Sequence, residues 1–508
     1  MRTNALCARR LDFVGLKCCS APRSHLFLYN RAAAASSIHI KPSGHGKVLL
    51  EALFASDMLR FSLRVPQVAS SSTCRIHQHR STRRGYVSIR DLILGIDPSD
   101  TDIAQFDEDF PQCRLVKGRY VTPWSRETEK TPIKALEWLW NRRQNKLKLA
   151  KLKDATLQEL LQPQDVNMEE IAQAKAHVTW IGHATCYFEV EGVKFITDPV
   201  FSERAFPVQM IGPRRFFGAG VRAEDLDIDV VLLSHTHYDH LDSASALEIG
   251  NKALWLVPLG VKALLENDYN ITNCIEMNWW DSHNIPSKVA KNPSLAQAEG
   301  IDITFTPAKH WTARGLFDRN TCLWGSFAVK SKQSSVFFGG DTAYCDVFSK
   351  IGEKLGPFDL CLLPIGAYKP RYFMKHHHCD PEEAVQIHKD LQSKQSLAIH
   401  WGTFPLADED VMEPALELAR TRRNAGVAPS EFFTLRLGET YDFSSVGKEV
   451  QVLGDVETLH GHLVEDYIAW RQDRLVKKEE RAKKREAILS KIKGEKEDVE
   501  ARDGPINS

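Results

Sequence analysis

The sequence predicts a central α/β domain, residues 175–447, set between N-terminal and C-terminal extensions of different character. Two observations predict it. From His177 onward, short β-branched and aromatic runs are broken by Gly, Asp and Pro, the punctuation of strands and turns. Near residue 380 a helix start is spelled out: Asp380 can cap, Pro381 suits the first helical position, and Glu383 falls three residues after the cap.

In chain order, residues 1–90 hold fifteen Lys or Arg against three acids, Asp12, Glu51 and Asp57, and are rich in Ser and Ala. An organelle-targeting presequence has this composition, because import favours a cationic amphipathic helix; a disordered basic arm has it too. A mitochondrial address is therefore expected, with the cytoplasmic face of another membrane as the alternative. Residues 91–174 read as a helical, polar cap, in which Ile133–Trp140 is the best amphipathic piece. Residues 448–508 are weakly apolar and end in a run of Lys, Arg and Glu, as in Lys477–Arg485, which reads as a partly helical, solvated tail.

Composition narrows the function classes. Lys plus Arg and Asp plus Glu both total 66, so the chain lacks the basic excess that a nucleic-acid partner would select. No stretch reaches the roughly 18 uninterrupted apolar residues of a transmembrane helix, so any membrane contact is expected to be peripheral. The eleven cysteines are scattered without a C-x-x-C pair, as in a reducing compartment.

The chemistry concentrates in Ser234-His235-Thr236-His237-Tyr238-Asp239-His240. Imidazole nitrogens and carboxylate oxygens suit zinc and similar ions, and His235, His237, Asp239 and His240 offer four such groups in six residues. They follow the apolar run Asp229–Leu233, read as a buried strand. His310 follows Ile301–Phe305, Asp341 follows Ser335–Phe338 and the pair Gly339-Gly340, and His400 follows Leu397–Ile399. Four strand ends thus deliver candidate ligands to one edge.

This H-x-H-x-D-H run with a later His, Asp and His resembles the signature of the metallo-β-lactamase superfamily. The resemblance implies an αββα sandwich with a two-zinc site at one edge. It puts one Zn2+ on His235, His237 and His310, the other on Asp239, His240 and His400, with Asp341 bridging. Further motifs are Gly118–Trp124, Thr179–Thr185, Thr197-Asp198-Pro199, Met210–Phe216, Gly339–Thr342, Pro364–Tyr368, Asp380–Val385 and His400–Thr403. Together they are similar to the N-acyl-phosphatidylethanolamine-hydrolysing phospholipase D family over about Gly118 to Gly438. That family implies cleavage of a phospholipid diester at a membrane surface, with a hydroxide shared by the two metals as the attacking group.

The resemblance also gives His378 contact with the substrate head group, and leaves His376 and His377 open. Tyr238 could donate its hydroxyl to a phosphate oxygen or serve in packing. His183 and Asp198 read as structural, Asp198 as a buried turn carboxylate supporting the ligand loop, and His388 as non-catalytic. Residues 204–217 mix Phe206, Met210, Ile211, Phe216 and Phe217 with Arg204, Arg214 and Arg215. That mix suits either a loop dipping into a lipid interface, with Arg meeting phosphate, or a core-packed connection. Competing readings are a lactonase or nuclease of the same superfamily, or a non-catalytic binding module, which the full set of seven ligand positions disfavours. Quaternary structure stays open, a homodimer included.

Overall fold

Lys117 and Gly118 both take the left-handed backbone conformation, at φ 50° and 76°. A two-residue hairpin turn of type I′ needs two such residues. They fold strand β1 (Arg114–Val116) antiparallel onto β2 (Arg119–Val121). A computed structural model describes residues 111–124, 161–164, 176–288, 300–315, 317–445, 452 and 454–502. The hairpin corrects the expectation of helix for this part of residues 91–174: the turn dipeptide overrides the polar, helix-like composition around it. The leader, residues 1–90, and the piece Ile133–Trp140 lie outside the described residues.

The first half of the main body runs β3 (His177–Gly182), β4 (Thr185–Val190), β5 (Val193–Thr197), β6 (Val230–Leu232), α1 (Ser243–Ile249), β7 (Leu254–Pro258), α2 (Lys262–Tyr269) and β8 (Cys274–Met277). The second runs β9 (Ser282–Ile285), β10 (Ile301–Thr306), β11 (Ser326–Lys330), β12 (Ser335–Phe338), α3 (Val347–Leu355), β13 (Leu360–Pro364), α4 (Arg371–Met374), α5 (Pro381–Asp390), β14 (Ser396–Ile399), α6 (Glu413–Ala425) and β15 (Phe432–Phe433). The chain then crosses back through β16 (Thr440–Asp442) and ends its described part in α7 (Val456–Arg502), which is interrupted where His460 leaves helical backbone values.

Two seven-stranded sheets result, in the orders β16-β3-β4-β5-β6-β7-β8 and β15-β14-β13-β12-β11-β10-β9. In each, antiparallel pairing at one side gives way to parallel pairing, from β5 to β8 and from β12 to β15. Side chains alternate across a strand, and β6 shows how the layers are held. Val230 and Leu232 join the large core with Phe305, Phe327 and Phe337 of the facing sheet. Val231 and Leu233 point the other way and pack with Ile249 of α1 and Leu265 of α2. On the opposite outer face α5 lies against β13, α3 and α6, and α6 carries α7. This is the αββα sandwich.

The start of α7 is locked to α6 by charge as well as by Val456 and Val464. The fully buried Arg422 guanidinium donates to Asp455 at 2.9 and 2.6 Å and to Glu457 at 2.6 Å. Breaking an ion pair this deep costs about 3–5 kcal/mol. The expected solvated tail therefore begins as a docked segment, a feature that its charge-rich composition hides. Among the described residues no helix is long and apolar enough to cross a membrane.

Candidate metal centre

The strands β6, β10, β12 and β14 all end at one edge of the sandwich, and the residues just past those ends converge there. His235 Nε2 lies 2.8 Å and His310 Nε2 3.2 Å from His237 Nδ1. Three nitrogens on one tetrahedral ion, with bonds of about 2.0–2.1 Å, would stand roughly 3.3 Å apart, so this spacing fits a shared metal. A second group forms beside it: Asp239 Oδ2 is 3.5 Å from His240 Nε2 and 3.6 Å from His400 Nε2. Asp341 joins the two groups. Its Oδ2 is 3.6 and 3.8 Å from His310 and His235 on one side and 3.2 Å from His240 on the other, and its Oδ1 is 2.9 Å from His400. His240 Nε2, His400 Nε2 and Asp341 Oδ1 are buried yet make no well-aligned hydrogen bond. A metal cation is the partner this donor set fits.

The far side of three of the rings, those of His235, His240 and His310, is held, which fixes their tautomers. His240 Nδ1 donates to Asp198 Oδ2 at 2.5 Å. Ser234 Oγ donates to the same oxygen, and its backbone N–H donates to Asp198 Oδ1 at 2.7 Å. His235 Nδ1 is 2.9 Å from Ser234 Oγ, and His310 Nδ1 donates to the His377 carbonyl at 2.8 Å. The Nε2 lone pairs of His235, His240 and His310 are thereby aimed inward. Backbone contact is equally close. Gly340 takes φ 56°, and a Cβ there would stand 2.6 Å from that of Ser234; one on Gly366 would stand 2.1 Å from the His400 carbonyl oxygen.

Charge inside this cluster is balanced. Burial raises the carboxyls of Asp239 and Asp341, but the surrounding imidazoles, His240 first, outweigh it and hold both well below the usual range. Burial and the neighbouring imidazoles hold His235 and His237 well below theirs. His240 and His400 go the other way: burial lowers them, the carboxylates outweigh it, and His400 is pushed up to about 9.

His378 stands at the mouth, its Nδ1 3.8 Å from Asp341 Oδ2 and its ring 5.1 Å from that of His310. It directly precedes the start of α5, whose capping box forms as expected, with Glu383 N donating to Asp380 at 2.9 Å and Asp380 N to Glu383 at 3.2 Å. His377 is buried, and its contribution is the carbonyl under His310. Asp198 supports the ligand loop, as read from the sequence. His183 is more intimate than expected: its Nε2 donates to Asp239 Oδ2 at 3.0 Å, and its place in the motif Thr179–Thr185 was the sign of it. His388 bonds Ser396 Oγ at 2.8 Å, away from the centre.

Two readings that the sequence left open take their packing alternative. The Tyr238 hydroxyl donates to the Arg314 carbonyl at 2.5 Å while the Arg314 guanidinium covers its ring, so it packs the ligand loop and does not face the metals. Arg215 is only 6% exposed and donates to the carbonyls of Val200 and Ile181, so it braces the interior instead of meeting a phosphate. Phe217 packs on the core, whereas Met210 is 86% exposed, with Val208, Ile211 and Phe216 also at the surface.

Residues 194–401 match the beta-lactamase superfamily domain, a span that holds all seven ligand positions. The chain is 43% identical over 279 residues to the N-acyl-phosphatidylethanolamine-hydrolyzing phospholipase D 1 of Caenorhabditis elegans, covering 52% of this chain and 75% of that protein. The chain belongs to this phospholipase D family. It is 35% identical over 268 residues to the mitochondrial N-acyl-phosphatidylethanolamine-hydrolyzing phospholipase D of Saccharomyces cerevisiae, covering 52% of this chain and 55% of that one. Among solved structures it is similar to an isothiocyanate hydrolase from Delia radicum gut bacteria, at 20% identity and a TM-score of 0.42 over 52% of this chain and 98% of the other. As a member of the family the chain is a metallo-β-lactamase-fold hydrolase with a metal cofactor.

Metal ligands must shed their protons, so loading this phospholipase D family centre is expected to release protons from His240 and His400. Apparent metal affinity should rise from about pH 6 towards 9, with buffer-dependent heats in calorimetry. An affinity flat across that range would contradict the protonation pattern.

Proposed function

We propose that this chain is a zinc-dependent phosphodiesterase that hydrolyses N-acyl-phosphatidylethanolamine to N-acylethanolamine and phosphatidic acid. The observation that carries the reading is the meeting of two ligand groups on the Asp341 carboxylate, in a chain 43% identical to a relative named for this reaction. One zinc is assigned to His235, His237 and His310 and the other to Asp239, His240 and His400, with Asp341 shared. Two bound zinc ions supply an activated water at neutral pH and neutralise charge developing on a phosphoryl oxygen.

The chain's own residues do the rest. Asp341 keeps the two ligand groups in register, and His183 and Asp198 orient Asp239 and His240. His378, at the mouth, is assigned to the substrate head group, where an imidazole can hydrogen-bond a phosphate oxygen. Residues 175–447 are assigned as the catalytic domain and residues 91–174 as an N-terminal cap region. The leader's composition and the mitochondrial name of the yeast relative support a mitochondrial membrane as the working place.

The test of the reaction is mass spectrometry of purified protein given N-acylated and plain phosphatidylethanolamine. N-acylethanolamine should appear from the first, and fall by at least about 100-fold with His237→Ala or after chelation. Undiminished release in either control would sink the metal mechanism, and turnover of a lactone or RNA instead would point to another hydrolase.

The exposed stretch 207–212 supports contact with a lipid surface. Phe206 packs 5.4 Å from the ring of Tyr238, between the ligands, so the loop borders the centre, and its Met210 and Ile211 face solvent. Replacing Met210 and Ile211 together by Ser should weaken liposome binding by about tenfold, from the lost apolar burial, while leaving turnover of detergent-dispersed substrate intact. Unchanged liposome binding would remove this loop from the interface.

A further inference from the structure

The motif Gly118–Trp124 lies outside the superfamily match at residues 194–401, and the chemistry above leaves it without a task. The structure shows what it touches. The Arg119 guanidinium reaches across to the loop that follows His310, where Nη2 donates to the Phe317 carbonyl at 2.8 Å and Nη1 to that of Arg319. Beside it, Tyr120 N donates to the Asn320 carbonyl at 2.7 Å, and Asn320 Nδ2 donates back to the Tyr120 carbonyl at 3.1 Å. The hairpin therefore grips residues 317–320 through four hydrogen bonds.

The gripped loop is coupled to the ligands. Asn320, held at φ 58°, closes it by donating from N to the Thr312 carbonyl at 2.8 Å and accepting from Thr312 N at 3.2 Å. Thr312 Oγ1 meets the hydroxyl of Thr236, which sits between His235 and His237. The Arg319 guanidinium lies 4.7 Å over the Trp311 ring, and Trp311 packs edge-on to His237 at 4.5 Å. Arg314 Nη1 donates to the carbonyls of Thr236 and Leu241 at 3.0 and 2.8 Å. The hairpin itself is anchored on the sandwich: Trp280 Nε1 donates to the Pro111 carbonyl at 3.2 Å, and Trp124 packs 5.9 Å from Trp279.

We propose that Arg119 is a positioning residue for the metal centre, through which the N-terminal hairpin holds the 311–320 loop and so sets His237 and His310 against each other. Its planar fork presents donors to two carbonyls in a fixed geometry, where a lysine offers one compact ammonium on a flexible stem. It touches neither metal nor substrate. Supports of this kind typically matter 10–100-fold for metal retention or activity.

The inference rests on the assignment of a metal to His237 and His310, so metal content of the wild-type protein is measured first; a protein that binds no metal would overturn that assignment. Full-length zinc-loaded Arg119→Ala is then compared with wild type for the rate of metal loss to a chromogenic chelator. Loss should be about tenfold faster or more, with kcat lowered and KM little changed. Arg119→Lys should fall between, and guanidinium ion at non-denaturing concentration should partly restore Arg119→Ala. If Arg119→Ala does not fold, Arg119→Lys carries the comparison. Metal loss at the wild-type rate in the folded variants, or a lowered melting temperature without faster metal loss, would overturn the positioning role alone.

Discussion

A carboxylate removed from water is stable only where positive charge is supplied in place of its hydration, and Asp341 is 3% exposed. Everything around it answers that demand. Imidazole nitrogens of His400, His240, His310, His235 and His378 stand between 2.9 and 3.8 Å from its oxygens. His235 and His240 come from the first sheet and the other three from the second half of the chain, so the Asp341 carboxylate joins the two halves of the sandwich as well as the two ligand groups. The αββα architecture matters because its parallel strands end together and bring these residues to one edge.

Around that carboxylate lies a ring of groups that aim the imidazoles. Asp198, Ser234, His183 and the His377 carbonyl each hold a ligand from behind, and three of the residues involved, His183, Asp198 and His400, sit at φ values of 55°, 32° and 60°. Non-glycine residues are sparse in that region and cluster at functional sites, where surrounding structure holds them. The hairpin extends this ring outwards, reaching His310 through a loop it does not share. The same fold thus carries a site whose rigidity depends on chain well beyond the superfamily match.

What the sequence revealed was local. The strands before His235, His310, Asp341 and His400, the capping box at Asp380 and Glu383, and the supporting role of Asp198 were readable because each rests on neighbours a few residues apart. What it hid was set by tertiary contacts. Nothing in the spelling of Arg214-Arg215 tells that one guanidinium is exposed and the next is buried against Val200 and Ile181 carbonyls. Tyr238 sits between ligands, yet its hydroxyl is committed to Arg314, distant in the chain. The carbonyl under His310 could come from any residue type. Arg422 and Asp455, 33 positions apart, dock a segment whose composition alone reads as tail. The hairpin turn at Lys117-Gly118 escaped the helical reading of residues 91–174, because two left-handed residues change the local fold without changing the polar composition around them.

The most direct test of this account is the anomalous-scattering crystal structure of the purified protein with its metal content counted in solution. Two zinc ions per chain are expected, held by the seven ligand residues, with Asp341 contacting both. A single ion, or a pair in which Asp341 touches neither, would contradict the account.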